Sequence, residues 1–292
     1  MIYGLLAYLL WGLFPAFFPL LEPAAPVEII AHRIVWTGVF MAIVITVTKQ
    51  WGELRAASLK TWLRVTAASV LIAANWLLYV IAVNSGHVAD AALGYFINPL
   101  VSVVLGVVFL SERLRKLQTA SVLIATFAVL VLTVVGGHPP IIGLGLAFSF
   151  GFYGLVKKGL DLSPTASLAG ETLVIVPVAL AYLGYLEAKG TGTFFGNGTG
   201  HMALLVSAGL VTAVPLLLFG MATKLIPLST IGMMQYVTPT IQMLWAVFVK
   251  SEHLEPIRWV GFIIIWISVA VYLADIVLSS RGRKKVIEQA PE

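Results

Sequence analysis

The chain has 292 residues, of which 60% are hydrophobic and only 11% charged, against about 25% charged in soluble domains. Too little polar material is present to cover a water-facing globule, so a soluble enzyme, a nucleic-acid-binding module and a disordered chain are excluded, and the lipid bilayer becomes the expected partner. The net charge of +5 lies between apolar runs and reads as membrane topology rather than as a nucleic-acid footprint. There are no cysteines, and the five histidines (32, 87, 138, 201 and 253) are scattered, so no thiol chemistry and no metal cluster are expected.

A membrane helix needs about 20 predominantly apolar residues. Cutting the apolar runs at Gly, Pro and charge clusters predicts ten spans: 2–21, 28–48, 63–83, 89–110, 117–135, 141–158, 167–187, 203–223, 228–249 and 257–278. The first run has no basic residue ahead of it and is read as a helix rather than a signal peptide. Gly136-Gly137-His138-Pro139-Pro140 divides the charge-free stretch from Leu117 to Val156 into two spans.

The basic residues give the orientation. With the N-terminus inside, 14 fall on the cytoplasmic side: Lys49, Arg55, Lys60, Arg64, Arg113, Arg115, Lys116, Lys157, Lys158, Lys224, Arg281, Arg283, Lys284 and Lys285. Three fall outside, namely Lys189, Lys250 and Arg258. Both termini are therefore expected in the cytoplasm, the last as a basic tail, 281–292, lying on anionic lipid.

A shift of 140 residues lays the chain on itself. Ser111-Glu112-Arg113-Leu114 falls on Ser251-Glu252-His253-Leu254, and Phe96-Ile97-Asn98-Pro99 on Tyr236-Val237-Thr238-Pro239. Ala73, Leu77, Leu78 and Ala82 fall on Ala213, Leu217, Leu218 and Ala222. Each repeat, 1–140 and 141–280, holds five predicted spans. Five is odd, so the second copy enters the membrane the other way up. The expected fold is an all-α integral membrane protein of ten helices in two inverted five-helix repeats, N-in and C-in. That architecture serves alternating access and points to a secondary transporter.

Particular strings then carry a resemblance. They are Trp11-Gly12-Leu13-Phe14-Pro15, Ala31-His32-Arg33-Ile34-Val35-Trp36, Asn75-Trp76-Leu77-Leu78-Tyr79 and Gly94-Tyr95-Phe96-Ile97-Asn98-Pro99-Leu100, with Glu171-Thr172-Leu173 and Gln235-Tyr236-Val237-Thr238-Pro239 in the second half. They resemble the EamA-type permeases of the drug/metabolite transporter superfamily, in its RarD-like branch, over nearly the whole chain. The resemblance implies ten helices, the inner membrane, and a small metabolite or amphipathic drug as substrate.

Charges inside a membrane helix are costly and usually face the bundle interior. His32 and Arg33 lie within the second span. Arg33 is either an anchor snorkelling to the outer headgroups or a fork for an anionic or carboxylate-bearing group. His32 titrates near neutrality and, with Glu171, is a candidate for proton coupling. Glu171 stands one residue from the repeat equivalent of His32. It either pairs with Arg33 or acts separately from it. Trp36, Asn75, Trp76, Tyr79, Tyr95, Asn98, Gln235, Tyr236, Gln242 and Trp245 supply rings and amides inside the spans, the material of a pocket for a planar or amphipathic molecule. Pro99 and Pro239, repeat partners, are candidate hinges. Glu112, Glu252, Asp90 and Asp275 read as solvated helix-end charges. No nucleophile elbow, metal-binding pair or Walker lysine is present, so neither catalysis nor a cofactor is expected. A monomer with a small-molecule substrate is the expected unit. A channel, a lipid flippase or a non-transporting receptor or scaffold are the competing readings.

Overall fold

The computed structural model describes residues 1–85, 87–136, 141–251, 253 and 256–288; at 83, 88–91, 135, 136 and 280–288 only the backbone is described. Every regular element among the described residues is helical. They are α1 (Ile2–Gly12), α2 (Phe14–Phe17) running into a 3-10 turn, α3 (Pro26–Val47), α4 (Trp51–Ala56), α5 (Leu59–Asn84), α6 (Val88–Leu110) and α7 (Lys116–Gly136) in the first half. The second half holds α8 (Ile141–Lys158), α9 (Pro164–Ala188), α10 (Gly198–Leu225), α11 (Leu228–Met234), α12 (Val237–Phe248) and α13 (Pro256–Glu288). Nine stretches among the described residues are long and apolar enough to cross a membrane, the first formed by α1, α2 and the turn together.

The boundaries follow local chemistry. Proline opens α3 and α9, where its missing N–H costs nothing, and the Ser163 side chain caps α9 by accepting from the Ala166 N–H at 3.2 Å. Ser111 ends α6 in the left-handed conformation, φ 54°. Ser251, 140 residues on, adopts φ 55°. The two serines that align in sequence thus share a positive φ, Ser111 at the cap of α6 and Ser251 just beyond the end of α12.

The ninth expected span, 228–249, is not one helix. It is interrupted at Gln235-Tyr236, between α11 and α12. Pro239 has no N–H for the Gln235 carbonyl, which accepts instead from Thr238 N at 3.0 Å, a tighter three-residue turn. Its partner Pro99 sits inside an unbroken α6. Equal prolines therefore give unequal results. One difference lies in Gly232, where α11 meets α6 so closely that a Cβ would lie 2.7 Å from the Pro99 carbonyl oxygen.

Helices pack across the two halves. α3 lies against α9 and α7 against α13; α5 touches α8 and α9, while α10 touches α1 and α3; α6 packs on α8, and α1 on α12. Exchanging each helix for its counterpart 140 residues away turns this set of pairs into itself. One apolar core joins α1, α3, α5, α8, α9 and α10, and a second joins α6, α7, α11, α12 and α13. Outward faces are apolar as well: Leu123, Phe127, Leu130 and Val134 expose one stripe of α7 at helical spacing. In a bilayer, lipid tails cover such a stripe.

Residues 137–140, 252, 254 and 289–292, and the side chains of Asp90 and of 281–288, carried sequence expectations that lie outside what is described.

Candidate substrate site

α3 carries Arg33 two turns from its start. The side chain does not snorkel. Arg33 is 7% exposed, and its guanidinium lies 4.3 Å from the ring centre of Trp76, 5.1 Å from Phe18 and 5.5 Å from Phe14. Its Nε donates to Thr212 Oγ1 on α10 at 2.9 Å. The Thr212 hydroxyl in turn donates to the Ala208 carbonyl at 2.7 Å, which aims its lone pairs at the guanidinium. On α6, the Tyr95 ring lies 6.0 Å from that of Tyr79. Flat rings suit a delocalised cation, because their faces carry negative quadrupolar potential.

Trp76 also lines a narrow cavity between α3, α5, α9 and α10. Ile34 and Thr37, Ser69 and Ile72, Thr172 and Ile175, and Leu216 complete most of its wall, with Glu171 toward the other end. The cavity therefore draws two helices from each half of the chain.

Glu171 does not pair with Arg33. Its Oε1 accepts from Lys157 Nζ at 2.6 Å and from Ser167 Oγ at 2.7 Å, and its Oε2 accepts from the Tyr153 hydroxyl at 3.1 Å. Lys157 and Glu171 are each 2% exposed. Here the sequence expectation is corrected. Lys157 is not a cytoplasmic surface charge; it turns back along α8 into the bundle. Only its neighbour Lys158 reaches a helix end, donating to the Thr223 and Ile226 carbonyls at the close of α10. Residues 159–163 join α8 to α9, and the Lys157 side chain reaches Ser167 and Glu171 on the first two turns of α9, whereas Lys158 points to the end of α10.

His32 points away from Arg33. It lies beneath the 191–201 segment, its ring stacked 4.9 Å from Phe194 and its Nε2 3.9 Å from Glu28 Oε1. Glu28 accepts from the backbone N–H and hydroxyl of Thr193 at 2.7 and 3.0 Å, and the Thr193 hydroxyl also meets His201 Nε2 at 3.0 Å. Trp36 stacks on the same Phe194 at 5.9 Å. These groups form an outer polar knot beside the cavity, not its wall.

The remaining expected site residues divide. Asn75 braces α5 on α8, donating to the Leu146 carbonyl and to Ser149 Oγ, both at 2.9 Å. Tyr236 donates to the Phe96 carbonyl at 3.2 Å, and Gln242 to the Trp11 carbonyl at 3.4 Å. Asn98 Oδ1, Gln235 Oε1 and the indole N–H groups of Trp36 and Trp245 are buried with no hydrogen-bond partner among the described residues. So Trp76 and Glu171 line the cavity, with Arg33 against the Trp76 ring, while Tyr79 and Tyr95 rest on each other, His32 and Trp36 belong to the outer knot, and Asn75, Tyr236 and Gln242 tie helices together. Sequence reasoning missed Phe14, Phe18, Glu28, Lys157, Phe194, His201 and Thr212. Of these, only the two charges, in otherwise apolar runs, gave a signal.

Glu112 also departs from the solvated role expected of it. Its carboxylate accepts from the Leu228 and Ser229 N–H groups at 2.6 and 2.9 Å, clamping the start of α11. With no native cysteine as background, Ser229→Cys reports on this clamp. In detergent, adding Glu112→Ala is expected to speed its maleimide labelling by at least about tenfold, since it removes both charge-assisted hydrogen bonds and either alone is worth about that factor. An unchanged rate would show that the clamp carries no load.

With this geometry in view, relatives decide the family. The model of the EamA-like transporter family matches residues 1–134 and again residues 140–274. The chain belongs to that family. Protein RarD of Streptomyces exfoliatus is 45% identical over 99% of this chain and 93% of its own length. Protein RarD of Escherichia coli (strain K12) is 39% identical over 97% and 96%. A protein of known crystal structure shares the fold, with a TM-score of 0.72 at 16% identity, covering 93% of this chain and 96% of that one. This EamA-like transporter is thus a multi-pass protein of the inner membrane, as the hydropathy led one to expect.

Proposed function

We propose that the chain is a secondary transporter that exports a small metabolite or an amphipathic drug by alternating access. The observation that carries this is the cavity between α3, α5, α9 and α10, bounded by helices from both halves. A rocking of one half against the other would open it to one side and close it to the other. The ten crossings, the interrupted ninth among them, then form two inverted five-helix repeats, 1–140 and 141–280, with both termini and the basic tail in the cytoplasm. The double match of one family model, the exchange symmetry of the helix pairs and the matched positive φ at Ser111 and Ser251 support this arrangement. A cavity built by one chain makes a monomer sufficient, with lipid and the small-molecule substrate as partners and no nucleic acid. Glu171 is the better of the two proton-coupling candidates, because it alone reaches the cavity. Protonating it would release Lys157.

Untargeted mass spectrometry of medium and cytoplasm tests the reading in cells overproducing either the wild type or Arg33→Ala. The expected result is a compound enriched in the medium by the wild type alone. Enrichment inside would reverse the direction to uptake. A compound that moves in liposomes without saturation or counterflow would make the protein a channel.

A further inference from the structure

We infer that the substrate is an amphipathic molecule carrying one carboxylate, held on Arg33 with its apolar body against Trp76; this rests on the transporter reading above. The argument is a comparison of two buried cations. Lys157 is fully answered: a carboxylate at 2.6 Å takes its charge, and Ser167 Oγ lies 2.8 Å away. Arg33 is also buried but has no carboxylate within ion-pair distance among the described residues, and its one hydrogen bond there uses the Nε–H alone. A guanidinium has five N–H donors in a planar fork. The four on its outer nitrogens find no acceptor among the described side chains and carbonyls, only ring faces.

Ring faces lower the cost of a buried cation but do not cancel its charge. A single polar bond and three rings leave a positive potential in a region of low dielectric, where a charge is strong and unscreened. The shape is specific too. Thr212 holds the guanidinium at Nε, 2.9 Å away, and the Trp76 ring centre lies 4.3 Å from its carbon. With Nε anchored, the outer nitrogens form the free edge of the fork, and that edge suits the two oxygens of a carboxylate. Phe14 and Phe18 are only half-buried, so the box around this cation is not sealed. Trp76, shared between the box and the cavity, offers the surface along which an apolar body would lie.

Isothermal titration of the purified full-length protein with a matched probe set tests this: 1-naphthylacetate, its neutral amide, and 1-naphthylmethylamine. The acid is expected to bind at least tenfold more tightly than the amide, and the amine least. In Arg33→Gln the acid should fall to the level of the amide while the amide keeps its affinity, which also reports an intact fold. Arg33→Lys should restore part of the preference, since a point charge replaces the fork. Equal binding of acid and amide by the wild type overturns the inference without any variant, and so does a preference that survives in Arg33→Gln. Amide binding that Trp76→Ala abolishes would leave the cavity reading standing even then. If neither acid nor amide binds, the cavity reading fails and the inference with it.

Discussion

Lys157→Met is expected to destabilise the protein by about 3–5 kcal/mol, because it strands the Glu171 carboxylate in the bundle with only hydroxyl partners. Purified yield and the thermal unfolding midpoint in detergent measure this directly. Adding Glu171→Leu to Lys157→Met should recover most of the loss, since an apolar pair of similar volume costs no charge desolvation. Transport should not recover with it. The double variant separates two roles that single substitutions confuse. A stable double variant that still transports would assign the ion pair to folding alone and remove Glu171 from the mechanism.

Gly209→Ala is expected to be nearly as damaging, for a reason without charge. An added Cβ would lie 2.4 Å from both the carbonyl carbon and the Cβ of Trp36, and 2.7 Å from the Thr37 nitrogen. Most of those atoms are backbone and cannot swing aside, so α3 and α10 must separate. Separation also breaks the bond from Thr37 Oγ1 to the Gly209 carbonyl, 3.0 Å long, and shifts Thr212 away from Arg33. A cost of about 3 kcal/mol, the upper end for overpacking, should appear as a lowered unfolding midpoint. Gly184→Ala is the control: nothing stands within 4 Å of its added Cβ, and in the exposed face of α9 it should be neutral or slightly stabilising. Equal effects at the two glycines would refute the close crossing.

Much of the fold was legible because the bilayer leaves few choices. Backbone polar groups in hydrocarbon must pair within the helix, so each long apolar run had to become one. The serines at 111 and 251 were legible as a repeat for the same local reasons. The break at Gln235 was not. Pro99 and Pro239 read alike in sequence, and one difference in their surroundings, the close approach of α6 to Gly232, depends on packing between distant helices. At the site, Arg33 and Trp76 stood out as a charge and a large ring in apolar runs. Their separation from His32 did not, because adjacent helical residues point about 100° apart and a His-Arg pair reads as a unit. Lys157 was misread because a lysine beside a helix end usually reaches for water. Its inward turn depends on the register of the following hairpin, which a list of charges cannot express.

The placing of the two buried cations has a consequence for synthesis. Lys157, Tyr153, Ser167 and Glu171 all belong to one helical hairpin, so their charges are cancelled as soon as α8 and α9 have emerged. Arg33 must wait for Thr212, 179 residues later, which at ribosomal speed is roughly 10–35 seconds. During that interval, only rings from its own half can shelter it. Phe14 and Phe18 are made before Arg33, and Trp76 follows 43 positions after it. The aromatic box thus doubles as temporary housing for a charge that enters the membrane long before its hydrogen-bond partner exists.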